Sequence, residues 1–346
     1  MPGISSAFAD RRSLDRVWQG VESRARRSAT AYGMYVLRRG EVAGEYYAGS
    51  RRTGANAVPV DPATRFNVYS VRKAYIGFAT AWAIRHGFLR SVDDRLAQYV
   101  ESVQESVLGD TTIRHVLTHS HGLDGEPGRV FRRFAPGRQW HYTNTGTHLL
   151  GEAILAATGE SVATLLRRLI FGPLSFVETG WETEEGEALA ADSGSGGKRL
   201  PLTLGDDGGT GRNLYVSARE LARFGWLHLS GGRLADAPPG AARVEPEAFA
   251  LASTLQTPPE FARRQPRHGF FWWMQTAGPD RSEIGARVPV GSYQIVGMSG
   301  CVCLVVPSLD LVAVRVYNSL GGNRLSFVRD VKDFGNDIVK WAVSSK

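Results

Sequence analysis

Cysteine and lysine are both scarce in this chain of 346 residues. The two cysteines, Cys301 and Cys303, stand two apart in an apolar run. At that spacing on one strand they cannot close an ordinary disulfide, and two thiols are too few for a zinc quartet. Residues 1–10 lack the apolar core of a secretory signal, and no apolar run approaches a membrane span. The expectation is a soluble, cytoplasmic protein. Hydrophobic residues at 42% and charged residues at 22% exclude disorder and fibre. The length suits one large domain or two interleaved ones with a sizeable core.

Lysine scarcity is the more useful shortage. Of 41 basic residues only Lys73, Lys198, Lys332, Lys340 and Lys346 are lysines; the other 36 are arginines. The net charge of +7 is scattered, with no basic stripe or recognition motif, so no nucleic-acid partner is expected. Wherever this chain keeps a lysine, an arginine has been declined.

Both ends of the chain read as sheet with packed helices. An amphipathic helix over 13–26 carries Leu14, Val17, Trp18 and Val21 on one face. Strands at 31–37 and 41–48 follow, joined as a hairpin at Arg38-Arg39-Gly40. Strands at 301–306 and 311–317 mirror them near the other end. A closing helix there carries Phe327, Val331, Phe334, Ile338 and Trp341. The middle has helical patterns at 71–86, 145–158, 162–169 and 218–229, the last with a capping box of Ser217 and Glu220. Residues 184–213 and 233–266 read as loops. The expected fold class is α/β (α+β): an antiparallel sheet flanked by N- and C-terminal helices, with a mostly helical inserted domain. Residues 1–66 and 268–346 form the sheet domain, 67–267 the insertion, and an active site lies in the cleft between them.

Ser70-Val71-Arg72-Lys73 stands where a polar turn gives way to an apolar helix. A serine at a helix start has free backbone N–H groups and the positive end of the dipole beside it. Lys73 lies one turn on, on the same face, and a desolvated lysine can serve as a base where arginine cannot. With 26 serines and five lysines, chance supplies roughly 0.4 Ser-x-x-Lys patterns. The second one, Ser195-Gly196-Gly197-Lys198, has no helix to hold it in register. A second element, Tyr142-Thr143-Asn144, offers a phenol for proton relay and an amide for positioning. A third, Gly297-Met298-Ser299-Gly300-Cys301, opens a strand with small residues that let a substrate backbone approach. The N–H groups of Cys301 and Ser70 together can form an oxyanion hole.

These elements, in this order, resemble the serine β-lactamase and penicillin-binding-protein superfamily, most of all its class C β-lactamase-like esterases, amidases and D-peptidases. Supporting phrases are Thr64-Arg65-Phe66, Ile113-Arg114-His115-Val116-Leu117-Thr118-His119, Pro136-Gly137, and Ser217 to Gly225. Val306-Pro307-Ser308-Leu309-Asp310-Leu311-Val312 is another. The resemblance implies a β-lactamase/transpeptidase-like fold. It implies Ser70 as nucleophile, Lys73 as its base, Tyr142 as relay, and Asn144, Met298, Ser299 and Gly300 as substrate-positioning residues. The Ser70 and Cys301 amides would bind the oxyanion. Superfamily lactamases and carboxypeptidases carry Lys or His where this chain has Met298, so the cation that meets a substrate carboxylate is missing.

The expected function is therefore a serine hydrolase that forms an acyl-enzyme on Ser70 and cleaves an ester or amide of a small molecule. An acyltransferase of specialised metabolism, with an amine or alcohol as acceptor, uses the same residues. A non-catalytic ligand-binding module is the reading from another class.

Other signals are weaker. Ser299 between glycines lacks the last glycine of a nucleophile elbow, because Cys301 stands there. His115, His119 and His121 lie near a helix end without carboxylates alongside and read as capping and packing groups, so no metal is expected. Phe270-Phe271-Trp272-Trp273 reads as a strand whose alternate rings fill the core. Residues 205–211 follow no strand in a phosphate-loop arrangement, so they read as a flexible loop near the site, and no cofactor is expected. Neither a membrane nor an oligomeric state is indicated.

Overall fold

The computed structural model describes residues 4–52, 57–238, 240–258, 261, 265–277, 282–320 and 324–345. The chain opens with α1 (Ile4–Ala25), β1 (Ala31–Arg38), β2 (Glu41–Arg52), β3 (Val58–Pro59) and β4 (Arg65–Asn67). Next come α2 (Arg72–Arg85), α3 (Glu105–Leu108), α4 (Ile113–Leu117), β5 (Leu123–Glu126), β6 (Arg129–Arg132), α5 (Thr145–Thr158) and α6 (Val162–Leu166). After them lie β7 (Thr179–Trp181), β8 (Leu214–Ser217), α7 (Ala218–Ser230) and α8 (Pro246–Ala252). Strands β9 (Trp273–Met274), β10 (Tyr293–Val296), β11 (Val302–Val306) and β12 (Leu311–Tyr317) precede α9 (Arg324–Ser344).

The main sheet has seven strands in the order β3-β2-β1-β12-β11-β10-β9, all antiparallel to their neighbours. The first strand of the chain therefore pairs with the last, Tyr32 opposite Tyr317 and Arg38 opposite Leu311. The β1–β2 turn is made by Arg39 and Gly40, with φ of 53° and 81°, the positive pair that matches strand twist. Leu14, Val17 and Val21 of α1 and Val331, Phe334, Ile338 and Trp341 of α9 cover one face of the sheet. Helix α7 covers the other, with Leu221 and Phe224 in the larger core. Helices on both faces explain why β12 and nearly all of β1 are buried without alternation.

A second sheet, β4-β8-β7, belongs to the middle of the chain and leads directly into α2. Helix α2 is buried over residues 72–83, a core helix rather than an amphipathic one. Its Gly77 is required, because a Cβ there would stand 2.3 Å from the carbonyl oxygen of Phe270. No single helix among the described residues is long and apolar enough to cross a membrane. The bent pair 145–158 and 162–171 meets the length and composition test, but its Leu149, Leu150, Leu165 and Ile170 belong to the core.

Three local expectations are corrected. Residues 233–266 are not loop throughout: Pro246 starts α8, whose Phe249 meets Phe78 of α2 at 4.3 Å between ring centroids. A proline at the first helical turn loses no hydrogen bond, so a Pro/Ala-rich stretch can still form a helix when its apolar face finds a partner. Phe270-Phe271-Trp272-Trp273 is not a strand of alternating rings. All four rings are buried, Phe271 turns the chain at φ 67°, and only Trp273 enters β9. Finally, residues 297–300 form the turn between β10 and β11, with Gly297 N–H donating to the Cys301 carbonyl at 2.8 Å, so the strand starts at Val302.

Candidate active site

The lead-in to Ser70 is fixed at each step. After β4, the Asn67 side chain accepts from Tyr69 N–H at 2.9 Å, and Val68 N–H donates to the Leu214 carbonyl at 3.0 Å. Tyr69 takes a left-handed backbone, φ 46°, which a bulky residue adopts only when its surroundings hold it there. Its phenol donates to Asp192 Oδ2 at 2.5 Å and lies 3.2 Å from Thr203 Oγ1. Ser70 then sits in one 3-10 turn (Tyr69–Val71) that runs into α2. Lys73 follows in the first turn of the helix, fully buried.

The Lys73 amine gathers the first two sequence elements around itself. Nζ lies 3.3 Å from Ser70 Oγ and 3.0 Å from Tyr142 OH, and it donates to Asn144 Oδ1 at 2.8 Å. It also stands 4.5 Å from the centre of the Tyr142 ring. Burial holds its pKa well below the usual lysine value, and the charges of Arg72 and Arg212 push the same way. Burial pushes the Tyr142 phenol up to about 12, while a hydrogen bond from Ser70 and the Arg72 charge oppose the rise. Both groups are thus biased to their uncharged forms. A neutral amine in contact with a serine hydroxyl has a lone pair ready for that proton.

Tyr142 is held from behind by aromatic packing. The buried His119 ring lies 4.3 Å from it, and Trp140 Nε1 donates to His268 Nε2 at 3.0 Å in the same cluster. The other two histidines of that segment face different partners. His115 closes the capping box of α4 with Thr112, and His121 Nδ1 accepts from Leu123 N–H. Beside Tyr142 and Asn144 opens a cleft of about 540 Å³, bordered by the β5–β6 hairpin, His148 and Arg212.

The third element lies against the lead-in to Ser70 rather than among the partners of Lys73. Ser299 Oγ donates to the Asn67 carbonyl at 3.0 Å, and Cys301 Sγ lies 3.8 Å from the same oxygen. Gly297 is pressed onto Val68, where a Cβ would stand 2.2 Å from its carbonyl oxygen. Ser299, Gly300 and Cys301 are buried, and Met298 is 54% exposed. Burial raises the Cys301 thiol to about 11, so it is no nucleophile at neutral pH. The stray pair Ser195 and Lys198 is exposed at the surface.

Two features escaped the sequence reading. Arg72 is fully buried and bonds Asn144; an arginine inside an apolar helix was the signal that could have found it. Asp192 sits in a long stretch without periodicity, and nothing local marks it as the partner of Tyr69. The 205–211 segment reaches the site through the Thr210 carbonyl, which accepts from Arg72 Nε at 2.8 Å.

A beta-lactamase family profile matches residues 16–334. A protein of Alkalihalophilus pseudofirmus, itself uncharacterised, is 37% identical over 312 residues, covering 90% of this chain and 91% of its own. Solved structures share the fold at low identity. One titled EstCE1, a hydrolase with promiscuous acyltransferase activity, superimposes with a TM-score of 0.74 at 17% identity, over 95% of this chain and 100% of its own. A class C beta-lactamase gives 0.75 at 16% identity, over 96% and 97%. D-alanine carboxypeptidase AmpC from Burkholderia cenocepacia gives 0.73 at 15%, over 93% and 97%. With most of its length matched and its core laid out as in these folds, the chain belongs to the beta-lactamase family.

Proposed function

We propose that the protein is a serine hydrolase that forms an acyl-enzyme on Ser70 and cleaves an ester or amide of a small molecule. The observation that carries this reading is the buried Lys73 amine within 3.3 Å of Ser70 Oγ and 3.0 Å of Tyr142 OH. Ser70 Oγ gives its proton to Lys73 and attacks the carbonyl carbon. The Ser70 and Cys301 amides hold the oxyanion, an arrangement in which each donor contributes about 3 kcal/mol. The tetrahedral intermediate collapses, the C–O or C–N bond breaks, and the leaving group takes a proton relayed from Lys73 through Tyr142. Water repeats the sequence and frees the acid. Met298 in place of a cation favours a substrate without a carboxylate at that point, and the expected cytoplasmic location favours a metabolite over cell-wall peptide.

Acyl transfer is the second reading. The open cleft beside Tyr142 leaves room for an amine or alcohol, and the EstCE1 title describes a fold neighbour with such promiscuity. The deciding experiment is exposure to a fluorophosphonate and to p-nitrophenyl butyrate, followed by intact mass and product analysis with and without added amine. A Ser70 adduct, absent in Ser70→Ala, is the expected result. An unmodified wild-type chain would favour a ligand-binding module instead.

A further inference from the structure

Arg72 stands at one of the two unspecified positions of the Ser-x-x-Lys element, yet it is fully buried. Its guanidinium donates from Nε to the Thr210 carbonyl at 2.8 Å, from Nη1 to the Tyr69 carbonyl at 3.2 Å, and from Nη2 to Asn144 Oδ1 at 3.1 Å. All three acceptors are neutral oxygens. Among the described residues no carboxylate pairs with it, although Arg51, Arg65, Arg114 and Arg315 all have one. A buried cation without a counter-ion is costly, and a chain that keeps one beside Lys73 invites a reason.

The reason lies in the shared acceptor. Asn144 Oδ1 receives Lys73 Nζ at 2.8 Å and Arg72 Nη2 at 3.1 Å, so two basic groups meet on one amide oxygen. In this buried setting the cheapest relief is for one of them to shed its proton. Burial draws Arg72 down only to about 10, so the guanidinium stays charged at neutral pH and the amine yields. The other groups around Lys73 do not restore an anion. They are Tyr142, Asn144 and Ser70 in contact, His119 beyond α4, His148 on α5 and Arg212 ahead of β8. Glu283, ahead of β10, acts on Tyr142.

We infer that Arg72 is a positioning residue that keeps Lys73 an uncharged amine, through its uncompensated charge on the shared Asn144 oxygen, and so leaves the Lys73 lone pair free to take the Ser70 proton. This rests on the acyl-enzyme reading above. It also gives the lysine shortage a practical use, since five lysines yield five resolvable signals.

The test is a pH titration of the full chain labelled with [ε-13C]lysine, with the Lys73 signal identified by its loss in Lys73→Met. In the wild type Lys73 should titrate apart from and below the other lysines. In Arg72→Gln it should move up by a unit or more, and the acid limb of kcat/KM for p-nitrophenyl butyrate should move with it. That is about a tenfold loss per unit on the acid side, recovered at higher pH. Arg72→Met, which removes the charge and keeps an apolar stem in the buried site, should raise Lys73 likewise if Arg72→Gln does not fold. A folded Arg72→Gln or Arg72→Met in which Lys73 titrates as in the wild type would overturn the inference. So would activity lost equally at every pH. Fluorophosphonate labelling separates the two levels. Labelled Ser70 with Lys73 titrating among the other lysines overturns the inference and leaves the acyl-enzyme standing. Unlabelled Ser70 overturns the acyl-enzyme reading, and the role of Lys73 as base with it.

Discussion

The phenol of Tyr69 and the carboxyl of Asp192, 2.5 Å apart and 123 positions apart in the chain, hold the residue before Ser70 in a left-handed conformation. Asp192 is buried, its other oxygen has no hydrogen-bond partner, and burial raises its pKa from 3.8 to about 6. A carboxyl raised on folding favours the folded state fully below its unfolded pKa, and that advantage is lost as pH climbs through the folded value. The shift corresponds to roughly 3 kcal/mol between pH 4 and 6. Asp192 alone therefore subtracts stability across this window, while the buried histidines His121, His228 and His268, held down to about 3 by burial, add it. In urea unfolding, Asp192→Asn, which can still accept from Tyr69, should gain stability relative to the wild type as pH rises through this window; a difference between the two that does not change with pH would count against the assignment.

Tyr142→Phe separates the hydroxyl from the ring. The ring would keep its packing on His119, while the group 3.0 Å from Lys73 would go. The thermal midpoint should stay close to that of the wild type, and kcat/KM for an activated ester should fall about 10²- to 10⁴-fold. Full activity in this variant would remove Tyr142 from the proton path.

Gly297→Ala tests the contact of the β10–β11 turn with the Ser70 lead-in. The added methyl would lie 2.2 Å from the Val68 oxygen, so the turn or the lead-in must shift. A cost of about 1–3 kcal/mol is expected in urea unfolding, with slower labelling of Ser70. The neighbouring Met298→Ala, at an exposed site, should stay within about 0.5 kcal/mol. Equal stability of the two variants would show that the contact carries little.

Local pattern carried part of this fold well. Helix α5 runs over the residues its apolar spacing predicts, 145–158, and β12 over 311–317, because each buries side chains at its own intrinsic period. Ser70, Lys73, Tyr142 and Asn144 do meet around one amine: helix spacing and the rarity of lysine pointed to the first two, and the family resemblance to the other two. What local pattern could not supply depends on partners far along the chain. Helix α8 exists because Phe249 finds α2, and the run at 270–273 leaves the strand form because Phe270 must lie against Gly77. The Arg72 bond to Thr210 and the Tyr69 bond to Asp192 likewise need the long 184–213 segment in place.

The pairing of β1 with β12 has a consequence for the protein while it is being made. The carbonyl of Phe270 lies against α2, and the strand that completes the sheet arrives only at 311–317. Helix α2, which bears Lys73, instead packs on α5, α6 and α8, all of them earlier in the chain than that strand. The sheet thus closes through a pairing that joins the two ends of the chain, the kind of long-range contact that forms slowly, while the helices around Lys73 come from the middle of the chain.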